Sequence, residues 1–201
     1  MASHRLHRRA HGFTLIEVLV SIVILSFGVL GMVGLQASSL QATRETRQQS
    51  ASVRLAKELA QLMRGNPAIA TQIDASKNPY LVDYSGGTRT APAANCFTSA
   101  ACQTSVPSDS QAKVAAWEVD DWLSRVDQEL PGARVKVCFD ATPYAGDGLP
   151  QWDCSDTGGI ATVKIGWTQR RFNNASTTTA EVLDQATRPS VVLPLTAGHT
   201  S

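Results

Sequence analysis

One acidic side chain, Glu17, lies at the start of a long apolar run in this chain of 201 residues. The 18 residues that follow, 18–35, carry no charge, which is close to the length that a helix needs to cross the hydrocarbon core of a bilayer. A carboxylate beside hydrocarbon is costly unless it pairs with a cation or stays at the level of the lipid headgroups. Glu17 could therefore form an ion pair at the edge of a membrane or stay unpaired among the lipid headgroups. Its position alone does not distinguish these two roles.

Four cysteines are the next residues that could do chemistry: Cys96, Cys102, Cys138 and Cys154. All follow the apolar run, and an even number of cysteines in an exported domain predicts disulfides. Four cysteines allow three pairings, of which the pairing of sequence neighbours, Cys96 with Cys102 and Cys138 with Cys154, is the simplest. A zinc site is the alternative, and it is disfavoured because C-x-x-C spacing and intervening histidines are absent.

Catalytic arrangements are hard to assemble from these residues. Beyond residue 12 the only histidine is His199, so a Ser-His-Asp or Cys-His arrangement would depend on a frayed tail. Glycine-rich phosphate-binding motifs and H-E-x-x-H are absent. The acidic pairs at 120–121 and at 153 with 156 are better explained by solvation or capping. We predict that the chain is not an enzyme and uses neither a cofactor nor a metal.

A basic leader, residues 1–12, contains three arginines and runs into the sequence Gly12-Phe13-Thr14-Leu15-Ile16-Glu17. The leader, the Gly, Phe and Glu residues and the apolar run together resemble the prepilin motif of type IV pilins and their relatives. The resemblance implies that a membrane prepilin peptidase cuts after Gly12 and N-methylates Phe13. It also implies that Glu17 meets the N-terminal amine of a neighbouring subunit, and Phe13 and Glu17 are indeed one helical turn apart.

An ordinary secretory signal peptide is the alternative reading of this segment. It predicts an apolar core of about 7–15 residues and then a small-residue cleavage site, for which residues 37–39 could serve. The observed run is longer and begins with a carboxylate. Either way, the leader arginines predict a cytoplasmic leader and an exported remainder. Without those arginines the chain has 15 basic against 17 acidic residues, so no general attraction for nucleic acid follows.

One long helix should position these residues. Its membrane or filament-core part is 13–35, and an amphipathic continuation, 36–66, ends at Gly65-Asn66-Pro67 because glycine and proline stop helices. Glycines at 28, 31 and 34 either allow close helix packing or weaken the helix. The apolar stripe expected to dock on the exported domain contains Val53, Ala56, Leu59, Ala60 and Met63.

The exported domain, 67–201, begins with a region rich in small and turn-forming residues, 68–110, which reads as loop. A helix is predicted over 111–130, and strands over 133–139 and 160–167, with a proline-bounded edge strand at 190–193. The candidate core anchors of this helix are Val114, Trp117, Trp122 and Val126. These elements predict an α+β fold in which the long N-terminal helix packs on a small antiparallel sheet.

The resemblance extends beyond the leader. Residues 13–67 are similar to the N-terminal half of the type IV pilus modification proteins, the PilV-type minor pilins, and the helix with two strands is similar to their C-terminal half. This implies a type IV pilin-like fold and a non-enzymatic minor pilin that joins other minor and major pilins in a tip complex priming assembly. It further implies a single-pass inner-membrane protein with a periplasmic C-terminal domain. A type II secretion pseudopilin and a pilus-borne adhesin remain alternatives.

Overall fold

The computed structural model describes residues 13–86, 96, 102–103, 106–157, 159–170, 183–184 and 187–196. Contacts divide the chain into two compact units, Met1–Thr46 and Arg47–Ser201. The expected leader with Gly12, and also His199, lie outside the described residues.

The first element is helix α1, Leu15–Gly65, which matches the long helix predicted from the sequence. It ends where glycine and proline were expected to stop it, and the N–H of Asn66 donates to the Met63 carbonyl at 3.2 Å. The short helix α2, Pro67–Ala70, follows at once. Proline suits the first position of α2 because that position needs no N–H donor.

The part of α1 that belongs to the second unit buries one stripe of side chains. The buried residues are Ser52, Leu55, Ala56, Leu59, Ala60 and Met63. Leu55 is fully buried and is absent from the predicted stripe, whereas Val53 is only half-buried. A stripe of period 3.6 passes through 52, 55–56, 59–60 and 63, so Val53 falls on its flank.

Helix α3, Pro107–Glu129, begins four residues earlier than predicted. Its buried residues are Ala115, Val119, Trp122, Leu123 and Val126. The anchors Trp122 and Val126 are thus confirmed, but Val114 and Trp117 are only half-buried and were wrongly placed in the core. The buried stripe passes through 115, 119 and 122–123, which turns positions 114 and 117 toward its flanks.

Region 68–110, predicted as loop, contributes to the core through its first half. Ile69 and Tyr80 are buried, and strand β1, Asp83–Tyr84, adds an edge to the sheet. The Tyr80 hydroxyl lies 2.6 Å from a carboxylate oxygen of Glu118 on α3. The side chain of Asn78 holds the turn, since it donates to the Gln72 carbonyl at 2.8 Å and accepts from the Tyr80 N–H at 3.0 Å.

Three longer strands build the rest of the main sheet: β2, Arg134–Phe139, β3, Ala161–Gly166, and β6, Val191–Leu195. The sheet is antiparallel with the order β1-β2-β3-β6, and strands β4, Gln169–Arg170, and β5, Leu183–Asp184, pair separately. Strand β6 lies at the edge of the sheet, as the sequence predicts. It does not end before Pro194 but runs through it, because an edge strand tolerates a missing N–H. The α+β prediction, a long helix with a small antiparallel sheet, is therefore confirmed.

The sheet has two different faces because its side chains alternate. One face joins the cluster of α1 and α3 through residues such as Val137, Val163 and Ile165, all of which are buried. Cys138 and Lys164 alternate with these residues and point to the opposite face. That second face is the one on which the disulfide-closed loop lies.

Candidate functional site

The residues of the expected prepilin motif surround the start of α1. Thr14 is the residue before the helix, and its Oγ1 accepts a hydrogen bond from the Glu17 N–H at 3.3 Å. Its backbone carbonyl accepts from the Glu17 N–H at 3.1 Å and from the Val18 N–H at 3.3 Å. Thr14 is therefore the N-capping residue of the helix. Glu17 lies in the first turn, where a negative charge interacts favourably with the helix dipole. The sequence signal for this helix start is Thr14-x-x-Glu17, a capping-box pattern.

The first unit presents an unusually apolar surface. All its described residues, 13 to 46, are exposed in the isolated chain, with Phe13 at 82% and Leu35 at 75% of their full accessible area. A surface of this kind requires lipid or other apolar helices as its surroundings. Ser21 and Ser26 fit such surroundings, because each hydroxyl donates to the backbone carbonyl four residues earlier, at 2.6 and 2.7 Å.

The three glycines of the apolar segment have open space around them. A Cβ atom added at Gly28, Gly31 or Gly34 would meet, apart from its chain neighbours and the nearby backbone of its own helix, no described atom within 4 Å. Packing within the chain therefore does not require glycine at these positions. Both sequence readings remain: close approach of a second helix, and a helix that is easier to unwind.

The four cysteines form two disulfides between sequence neighbours. Cys96 is bonded to Cys102, with a Cα–Cα distance of 5.3 Å, and Cys138 is bonded to Cys154, with a Cα–Cα distance of 6.4 Å. Both distances lie in the usual range for disulfides. Cys138, Asp140 and Cys154 bring their ligand-type atoms within 4.8 Å of one another. The two sulfurs are consumed by the disulfide, however, so this cluster offers no thiolate to a metal.

The second disulfide closes a loop that we call the cap, residues 140–154, over the outer face of the sheet. Trp152 of the cap is buried, and the guanidinium carbon of Arg134 lies 4.3 Å from the centre of its ring. At the tip of the cap, Tyr144 pairs with Pro150, and the N–H of Ala145 donates to the Leu149 carbonyl at 2.8 Å. The cap is therefore an ordered layer on the sheet.

A buried ion pair that could not be predicted from the sequence lies beneath the cap. The Nζ atom of Lys164 lies 2.6 Å from Oδ2 of Asp140, and neither side chain is exposed. The same Nζ donates to the Asp153 carbonyl at 2.6 Å. Oδ1 of Asp140 accepts the N–H of Thr142 at 2.9 Å and of Ser155 at 3.2 Å.

These contacts set the charge state of Asp140. Burial alone would raise the pKa of its carboxyl group, but the hydrogen bonds from Lys164, Thr142 and Ser155 outweigh burial and hold the pKa below its usual range. Asp140 is therefore an anion that neutralises the Lys164 ammonium. A lysine in a fully buried strand between Val163 and Ile165 is the sequence signal for this pair, and nothing in the sequence names its partner.

Comparison with known proteins gives one match. Residues 7–33 match the family model of the prokaryotic N-terminal methylation motif. No curated protein and no solved structure was found to match the chain. Within the described residues, α1 is the one helix that is long and apolar enough to cross a membrane by length and composition. The motif and this helix support a type IV pilin-like protein, either a pilin or a pseudopilin, and suit membrane anchoring and incorporation into a pilus.

Proposed function

We propose that the chain is a minor pilin of a type IV pilus, a non-enzymatic structural subunit that helps to prime assembly within a tip complex. The observation that carries the proposal is the N-terminal methylation motif over residues 7–33, which is found in a family of structural subunits. The exposed apolar surface of α1 supports it, since that surface needs lipid before assembly and other pilins afterwards.

In this proposal the chain is first inserted in the inner membrane and is then processed and assembled. The leader stays in the cytoplasm, the apolar part of α1 crosses the membrane once, and the C-terminal domain with its disulfides is periplasmic. Prepilin peptidase cuts after Gly12 and N-methylates Phe13. The new N-terminus, Phe13, then lies one residue before Thr14, the N-capping residue of α1, and one helical turn before Glu17. The mature chain then joins other minor and major pilins.

A type II secretion pseudopilin is the second candidate, because it carries the same N-terminal motif. The end of α1 at Gly65 and Pro67, and the two disulfides of the second unit, are the features that favour the pilus. A pilus-borne adhesin would need a surface ligand, and the sequence names none.

A deletion strain distinguishes the first two candidates. We expect pili per cell to fall sharply when the gene is removed, because a priming subunit acts at the start of assembly. Secretion of an enzyme exported by the type II system should be unchanged. Lost secretion with normal piliation would instead identify a pseudopilin. The matched control is the deletion strain complemented with the wild-type gene.

Processing gives an independent test of the motif. Mass spectrometry of wild-type protein from membranes should find Phe13 as the N-terminal residue, carrying one methyl group. Gly12→Val should accumulate at full length, whereas Ala10→Val, a change of similar size in the same leader, should be processed normally. An N-terminus near Ser38 would show that an ordinary signal peptidase acts on the chain.

A further inference from the structure

The two ends of the cap meet at one side chain. Lys164 reaches from β3 to both of them: its Nζ lies 2.6 Å from Oδ2 of Asp140, two residues after Cys138, and 2.6 Å from the carbonyl of Asp153, one residue before Cys154. The ammonium group thus bridges the two chain segments that carry the cysteines. It does so from a strand that is fully buried and has a fixed register with β2, where Cys138 lies opposite Thr162.

Further hydrogen bonds join the same two segments without using the sulfurs. Oδ1 of Asp140 accepts the Ser155 N–H at 3.2 Å, and the Ser155 hydroxyl accepts the Ala141 N–H at 2.8 Å. Asp140 and Ser155 are the near neighbours of Cys138 and Cys154. With Oδ2 of Asp140 paired to Lys164 and Oδ1 bonded to the Ser155 N–H, these contacts hold the segments that carry the two cysteines side by side.

We propose that Lys164 is a positioning residue that aligns Cys138 with Cys154 before oxidation and so selects this pairing among the three that four cysteines allow. Thermodynamic linkage gives the reason: contacts that hold two thiols together raise their effective concentration, and the disulfide stabilises the same contacts in return. Lys164 takes no part in the electron transfer.

The oxidation itself needs an external disulfide, for which oxidised glutathione serves as a defined probe. One cysteine thiolate attacks the glutathione disulfide and releases one reduced glutathione, leaving a mixed disulfide. The second thiolate then attacks the protein sulfur of that mixed disulfide, which forms the Cys138–Cys154 bond and releases the second glutathione. Two protein thiols and one oxidised glutathione thus become one protein disulfide and two reduced glutathiones.

The other disulfide provides an internal reference in the same molecule. Cys96 and Cys102 are six residues apart, so their thiols stay near each other without help from distant elements. Cys138 and Cys154 are 16 residues apart and belong to a longer loop. Loss of a positioning residue should therefore affect the second pair and spare the first.

The test measures the glutathione equilibrium of each pair in the full chain in detergent micelles, with alkylation of free thiols and peptide mapping. We expect Lys164→Met to lower the equilibrium constant of the Cys138/Cys154 pair at least about tenfold and to produce crossed pairs with Cys96 or Cys102. The Cys96/Cys102 constant should change less than about twofold. The control is Lys136→Met, which lies opposite Lys164 on the same outer face and whose ammonium pairs with Asp83 at 3.2 Å.

A second variant separates positioning from the cost of an unpaired buried charge. Lys164→Met combined with Asp140→Asn removes both charges, so a purely structural role predicts that its disulfide equilibrium recovers to the wild-type value. Positioning predicts that the loss persists at about fivefold or more, with normal circular dichroism. Recovery, or a wild-type constant for Lys164→Met, would overturn the proposal.

A third measurement does not depend on how the lysine variants fold. Replacing Cys138 and Cys154 by serine should leave the cap formed, because Lys164 and Asp140 remain. Hydrogen exchange should then show that the Thr142 and Ser155 amides, which donate to Asp140, stay protected from solvent. Free exchange of both amides would mean that the disulfide forms the cap and that Lys164 does not align the cysteines.

Discussion

Glu17 is the residue on which the proposed assembly chemistry depends. It lies in the first turn of α1, at the edge of the apolar segment and one turn after the proposed N-terminus. Inside a core of apolar helices an unpaired carboxylate is costly, so pairing with the amine of a neighbouring subunit would select one register. Glu17 has a second possible role at the start of α1, because a glutamate three residues after an N-capping threonine stabilises the first turn of a helix.

The first prediction is that Glu17→Ala lowers incorporation into sheared pili by at least about tenfold, the effect of losing one partly buried ion pair. Processing and membrane level should not change. Immunoblots of sheared pili, normalised to membrane protein, give the measurement. Glu45→Ala is the control, since Glu45 is an exposed carboxylate on the same helix outside the apolar segment. Equal incorporation of the two variants would leave Glu17 as a helix-capping residue at headgroup level.

Asp140 gives a prediction about pH. Its pKa is lower in the folded than in the unfolded chain, where it is about 3.9, so its ion pair contributes stability above pH 4 and loses it as the pH falls through the folded value. The free energy of unfolding of the second unit should therefore fall as the pH is lowered from about 5 to 3. Urea titrations of the full chain in detergent across this range give the measurement.

Asp140→Asn tests the assignment of this acid sensitivity. It leaves the Lys164 ammonium buried without its anion, so we expect a loss of about 3–5 kcal/mol at pH 7 and a weaker pH dependence below pH 5. Asp147→Asn is the control, because Asp147 also has a lowered pKa but is exposed on the cap and pairs with Arg188 at 3.1 Å. If the free energy of unfolding of Asp140→Asn falls with decreasing pH as steeply as that of the wild type, other carboxylates cause the acid sensitivity.

At the scale of elements, the packing of α3 on the second-unit part of α1 depends on Trp122. Its indole N–H donates to the Leu55 carbonyl at 2.9 Å, and its side chain is fully buried. Trp117 on the same helix is half-buried. We expect Trp122→Phe to destabilise the domain by about 2 kcal/mol through the lost hydrogen bond and the space left behind, and Trp117→Phe by less than about 1 kcal/mol.

Urea unfolding followed by circular dichroism compares these two variants directly. The pair is matched, because both changes replace the same side chain in the same helix. Equal destabilisation would mean that Trp117 supports the core as strongly as Trp122 does.

At the scale of the whole molecule, every described residue of the hydrophobic core belongs to the second unit. The first contributor to this core along the described chain is Ala51, and no residue of the apolar segment belongs to it. We therefore expect a chain of residues 36–201 to fold in water, with a midpoint of thermal unfolding within about 4 °C of the full chain, the shift that about 1 kcal/mol produces. Calorimetry gives the measurement.

A shorter chain, residues 61–201, is the control for that truncation. It lacks the buried Leu55 and Leu59, so it should not unfold cooperatively. If the chain of residues 36–201 also fails to unfold cooperatively, the apolar segment contributes to the stability of the domain.

The sequence alone was enough for features that depend on near neighbours. The apolar segment with Glu17 at its start, the end of α1 at Gly65, strands β2 and β3 and the edge position of β6 all follow from local spacing and backbone chemistry. The methylation motif is local in the same sense, since it occupies residues 7–33. Such patterns are readable because the residues that define them are separated by one turn or one strand repeat.

Only the tertiary structure decided the contacts between distant residues. The sequence shows Lys164 and Asp140 but not that the register of β3 and the cap bring them to 2.6 Å. Composition suggested a loop around Tyr80, whose hydroxyl in fact meets Glu118 across 38 positions of sequence. The periodicity of α3 likewise did not distinguish Trp122 from Trp117, because apolar side chains lie on more than one side of this helix. The side that packs on α1 is the one that carries Trp122, whose indole donates to the Leu55 carbonyl.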